Sequence, residues 1–74
     1  MITVYVRLLC EGTEVFRPTG AVQMANEVYR LLPTVNYDPA DELWEFPPGA
    51  LVHCQIKKLS EGDVLVAVNV AVAD

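Results

Sequence analysis

The sequence is short of bases, histidine, cysteine and long apolar runs, and each shortage closes off a class of function. Among 74 residues, five Lys and Arg stand against ten Asp and Glu, a formal charge of −5. Nucleic-acid recognition begins with a basic face that neutralises phosphates, so that class is set aside. His53 is the only histidine, and the two cysteines, Cys10 and Cys54, form no CxxC pair. A zinc site within one chain would need acidic ligands to reach four, so neither metal nor cofactor is expected. No apolar run approaches the roughly 20 residues of a membrane helix. Met1 to Val6 has neither the basic segment nor the small-residue cleavage site of a signal peptide. These absences predict a cytoplasmic protein with two free thiols and no membrane partner.

Catalysis is not expected either. His53 and Cys54 are sequence neighbours, so on a strand they point to opposite faces. Ser60 is remote from both, and no nucleophile–base pair can be proposed with geometry behind it.

What the chain does have is apolar content: 53% of residues are hydrophobic, and mean hydropathy is +0.29. A domain this small has a thin core. The surplus points to a subunit contact that takes part of it.

The apolar residues alternate as in strands. Ile2, Val4, Val6, Leu8 and Cys10 share one face of a first strand. A turn at Glu11-Gly12-Thr13 leads into a second strand over 14–18. A three-residue turn, with Gly12 in the left-handed position, sets Leu8 against Phe16 and Arg7 against Arg17, which keeps each face uniform. Pro18 then marks an edge, bulge or bend, and with Gly20 suggests a sharp bend before the strand resumes over 22–24. After a turn at Ala25-Asn26 the chain returns over 27–32, with Tyr29 and Leu31 inward and Arg30 outward. A short helix over 21–32 is the competing expectation.

Pro33 opens an irregular loop to Glu42. Within it Asp38-Pro39-Ala40-Asp41 has the form of a helix start, with Asp38 as cap and Pro39 at the first helical position, enough for one 3₁₀ or α turn. Leu43–Phe46 reads as a short strand stopped by Pro47-Pro48-Gly49. Residues 50–59 form another, with Val52, Cys54 and Ile56 inward. After a turn at 60–63, the last strand runs over 64–72. Its two faces are both apolar apart from Asn69, so both should be covered, one of them by something outside the barrel. The expectation is a single domain over 1–74, an all-β, SH3-like barrel of five to six short antiparallel strands with one short 3₁₀/α turn. An OB-like barrel is second.

Arg7-Leu8-Leu9, Glu11-Gly12-Thr13-Glu14-Val15, Arg17-Pro18, Tyr29-Arg30, Tyr37-Asp38-Pro39 and Trp44-Glu45-Phe46-Pro47-Pro48-Gly49 carry a resemblance. On these, residues 3–68 resemble a group of short uncharacterised bacterial proteins, some of the mobile gene-cassette type. The resemblance implies an SH3-like barrel and supplies no chemistry, since the group has no known activity. It also makes 69–74 look like a C-terminal strand extension.

The candidate sites follow from charge and aromatics. Asp38, Asp41, Glu42 and Glu45 lack the spacing of a calcium loop, and their plain role is a capped turn with solvated acids. Trp44 and Tyr37, expected to be partly exposed beside this loop, would with Glu45 form an acidic, aromatic-rimmed groove for a protein, peptide or cationic ligand. Arg7 and Arg17, if they face each other, repel and need an anion between them. The plain anion is Glu45 or a loop aspartate. The alternative is a bound carboxylate or phosphate, which would make the protein an anion- or metabolite-binding one or a small enzyme. Val66, Val68, Val70 and Val72 are the expected interface of a homo-oligomer, a dimer or higher, built on the last strand.

Overall fold

The computed structural model describes residues 2–71. Five strands follow one another in chain order: β1 (Ile2–Arg7), β2 (Phe16–Ala25), β3 (Val28–Leu31), β4 (Leu51–Leu59) and β5 (Gly62–Val70). Each pairs antiparallel with the next, and β5 closes on β1 to complete a barrel. Four antiparallel steps leave β5 running in the direction of β1, so the closing contact is parallel, through Tyr5 and Val66. This is a small all-β barrel, consistent with the SH3-like class, and the described residues contain no helix.

The expected alternation holds through most of the core. Val4, Val6, Leu31 and Val52 are fully buried, joined by Leu8, Ala21, Tyr29 and Cys54. Arg30 is exposed between Tyr29 and Leu31. β2 is one continuous strand, not two pieces around a bend. Ala21 pairs with both Ile2 and Leu31, so one ten-residue strand serves β1 with its first half and β3 with its second. Pro18 lies in the first half, where the second edge of β2 has no strand beside it. Its missing N–H therefore costs no ladder bond, and the edge explanation for Pro18 is the one that applies.

Four expectations are corrected. The β1–β2 register pairs Arg7 with Phe16 and Val6 with Arg17, one residue away from the register that faces Arg7 with Arg17. The three-residue turn does not form because the end of β1 is engaged on its other side. Leu8 bridges Trp44, Leu9 N–H donates to Leu43 O, and Glu45 N–H donates to Arg7 O. The chain then needs the longer span 8–15 to return, closed by Leu8 N–H to Val15 O. Second, Cys10 is exposed in that loop, and it, not Gly12, takes the left-handed backbone, at φ 61°. Third, Leu43–Phe46 is a single bridge, not a strand. Fourth, Ile56 is 64% exposed. β3 reaches β4 only as far as His53, with Glu27 O accepting from Cys54 N–H, so no strand flanks that edge of β4 beyond it.

Turn chemistry places the connections. Ala50 N–H donates to Pro47 O, with Pro48 and Gly49 between them and Gly49 at φ 91°. That is the type II arrangement, in which proline pre-sets the first central residue and glycine takes the left-handed second. The Asp38 turn forms as expected: Asp38 Oδ1 accepts from Ala40 N–H at 2.9 Å, and Asp38 O accepts from Asp41 and Glu42 N–H.

Candidate functional site

The long connection over 32–50 crosses the end of the barrel, and its side chains make the site. Trp44 and Phe46, two residues apart on an extended segment, share a face and enter the core. Trp44 is only 4% exposed, which corrects the expectation of a partly exposed indole. Tyr37, half-buried, meets it edge to face with ring centroids 4.8 Å apart at 69°, a geometry aromatic quadrupoles favour.

The residue that ties this region together is Glu42. Its Oε2 pairs with Arg17 Nη2, and its Oε1 accepts from Trp44 Nε1–H at 3.1 Å. The Arg17 hydrogen bond, then that of Trp44, holds the Glu42 carboxyl below its ordinary range against a smaller opposing desolvation. This is why the shifted register is tolerated. Arg17 has the inward parity of Val6, but at the barrel mouth its guanidinium reaches a loop carboxylate. Arg17 Nε is buried with no partner among the described residues.

Cross-strand partners share a face, so Arg17 goes with Val6 and Arg7 with Phe16, on opposite sides of the sheet. The two arginines are not brought together. Arg7 instead lines a small outer recess with Glu14, Glu45 and Lys57 above Val66. Glu45 is exposed and belongs to that recess, not to Trp44's surroundings. Among the interface candidates, Val66 is 2% exposed and already covered within the chain, so it is withdrawn from that set. Side chains around the outer recess, Arg7, Phe16 and Lys57 among them, supply part of the covering that the two-faced strand was expected to need from outside. Val68 is half-buried, Val70 is 58% exposed, and Val72 lies outside the described residues.

The sequence alone groups Glu42 with the solvated acids. Its nearness to Trp44, two residues on, carried a signal, because a buried indole N–H needs an acceptor. Arg17, Thr34, Asn36, Asp38, Asp41 and Glu42 surround a recess of about 450 Å³, within the range that ligand sites occupy. Three carboxylates against one guanidinium make it acidic.

The other chemistry-bearing groups are separate. Cys54 is buried, and desolvation pushes its thiol up to about 11, away from reactivity. His53 is exposed on the opposite face. Among the described residues no cluster of His, Cys, Asp and Glu could hold a metal ion, and no helix is long and apolar enough to cross a membrane. Comparison with protein-family models, curated proteins and solved structures finds no match to this chain. What the protein does must therefore follow from its own residues.

Proposed function

We propose that the protein is a non-enzymatic interaction module that takes a protein, peptide or cationic ligand in the recess between β2 and residues 34–42, beside Trp44. The observation that carries this is the position of Glu42, which lines the recess while holding both Arg17 and the buried Trp44 indole. A cation approaching Asp38 and Asp41 meets a carboxylate whose second oxygen reports to the core. A buried, poorly ionised Cys54 facing away from His53 supports a binding role over a catalytic one. The two free thiols fit a reducing, cytoplasmic compartment.

The test uses the reporter the fold provides. Arginine methyl ester titrated into ¹⁵N-labelled protein is expected to move the Trp44 indole N–H resonance, saturably and with salt sensitivity. An indole resonance that stays fixed to tens of millimolar ester would sink the proposal.

A second reading is favoured by Val70, an apolar side chain more than half exposed at the end of β5. Self-association through the end of β5, as a dimer or higher, would cover it.

A further inference from the structure

The acidic recess does not end at Pro18. Pro18, Thr34 and Val35 also line a second, mostly apolar recess of about 600 Å³ with Ile2, Gly20 and Leu32. Ile2 and Leu32 continue into a third recess beside Val22. The three adjoin as one groove beside β2, from Asp38, Asp41 and Glu42 at one end to Val22 at the other; the edge of the strand is open at Pro18, bonded to Leu32 at Gly20, and paired with β3 from Ala21 on. Val35 stands at the junction and is 100% exposed.

The groove's length follows from β2. Arg17 to Val22 is five residues, or about 17 Å of strand, the reach of some five extended peptide residues. Its floor decides how a peptide can lie there. Gly20 O accepts from Leu32 N–H, so alternate residues of β2, Pro18 among them, turn their backbone groups toward the groove. Pro18 has no N–H to offer, so a partner cannot extend the sheet as an added strand. Recognition must come from side chains on an extended, unladdered backbone of the polyproline type.

We propose that this groove docks an extended segment of a partner protein carrying a Lys or Arg three to five residues from a pair of apolar side chains. The cation meets Asp38, Asp41 and Glu42, and the apolar residues pack on Val35, Leu32 and Ile2. Charge complementarity selects this occupant: the groove is acidic at one end only, in a chain of net charge −5. A second copy of so acidic a chain is the less suitable guest. The inference rests on the reading that the recess beside Trp44 takes cations.

The probe is an acetylated octapeptide with one lysine three residues before the first of two leucines, prolines and alanines between them. Two controls replace the lysine by glutamate and both leucines by serine. In ¹⁵N spectra the parent peptide is expected to shift the amides of Ile2, Leu32, Thr34, Val35 and Asp38. Each control should bind about tenfold or more weakly, the loss of one ion pair or of two apolar contacts. Val35→Asp should weaken the parent peptide similarly with an unchanged melting temperature, because a fully exposed side chain supports no packing. Equal binding of the glutamate control overturns the proposal, as do shifts confined to β4 and β5. So does a groove variant that changes the particle mass in light scattering, which would make the groove a contact between copies. If arginine methyl ester moves the Trp44 indole but the peptide binds no tighter than the ester, this inference fails alone. If neither moves it, both fail.

Discussion

Glu27 carries a cost that its neighbours do not remove. It sits at φ 61° in the turn between Ala25 and Val28, with Met24 left as an extra residue by the register shift beside it. A left-handed backbone costs a residue with a Cβ about 1–2 kcal/mol, and glycine adopts it freely. Glycine at the second position loses part of that gain to the greater freedom of its unfolded chain. Glu27→Gly should therefore raise stability by about 0.5–1 kcal/mol, a rise in Tm of about 2–8 °C for a domain of this size. Thermal unfolding checks it, and an unchanged or lower Tm would mean that the turn holds no strain. The sequence did not betray Glu27, because nothing in a glutamate marks a left-handed turn. It did reveal Gly49, because Pro-Pro-Gly spells out a type II turn by its own chemistry.

Among the elements, the 32–50 connection depends most on a single polar contact. Its Trp44 and Phe46 supply the burial, but Glu42 fixes its near end to β2 through Arg17. The folded state lowers the Glu42 pKa, so it binds that proton less readily than the unfolded chain does. The stability this contributes is full above the ordinary value of 4.5 and is lost as pH falls below it toward the lowered one. Acid titration followed by Trp44 fluorescence should show this limb in the wild type, and Glu42→Gln should flatten it. Superimposable curves for the two proteins would dismiss the link. The effect is modest because both partners keep some exposure to water.

The same connection shows where sequence reasoning runs out. Alternation told which residues of β1, β3 and β4 face inward, because period two is local and burial enforces it. The register of β1 on β2 was set elsewhere, by Leu43 to Glu45 arriving from 35 residues downstream to occupy the end of β1. Uniform faces then gave the wrong pairing, since a barrel mouth can hold an arginine in line with valine when a carboxylate descends on it. Trp44 and Tyr37, expected beside each other at the acidic loop, do pack together edge to face. Tyr37 keeps the partial exposure expected of it, but the burial of Trp44 was not legible, because a lone aromatic beside acids looks the same whether it caps a core or rims a groove. Ile56 failed for a complementary reason: parity says which way a side chain points, and only the length of β3 says whether anything is there to meet it.

For the molecule as a whole, the open question is how its apolar surplus is satisfied. Val66 turns out to be covered by the chain itself, while Val70, Val22, Met24, Leu43 and Ile56 stay largely exposed. If β5 mediates assembly, light scattering at high micromolar concentration should report a particle larger than one chain. Val70→Lys, or truncation after Val68, should then return it to the single-chain mass. A wild-type protein that runs as a monomer at that concentration removes self-association from its repertoire.

The parallel seam has a consequence for how this barrel can be connected. Tyr5 lies beside Val66, so Ile2 sits three residues to one side of that point and Val70 four residues to the other. At strand spacing the two positions are about 23 Å apart along the seam. A barrel closed by an even number of strands would bring them to the same rim, and a two-residue link would join them. Here a circular permutant needs roughly seven extended residues between Val70 and Ile2, the chain's own terminal residues counted among them, running back along the outside of the wall. Tandem copies fused head to tail would instead follow one another in line, each entering at one rim and leaving at the other.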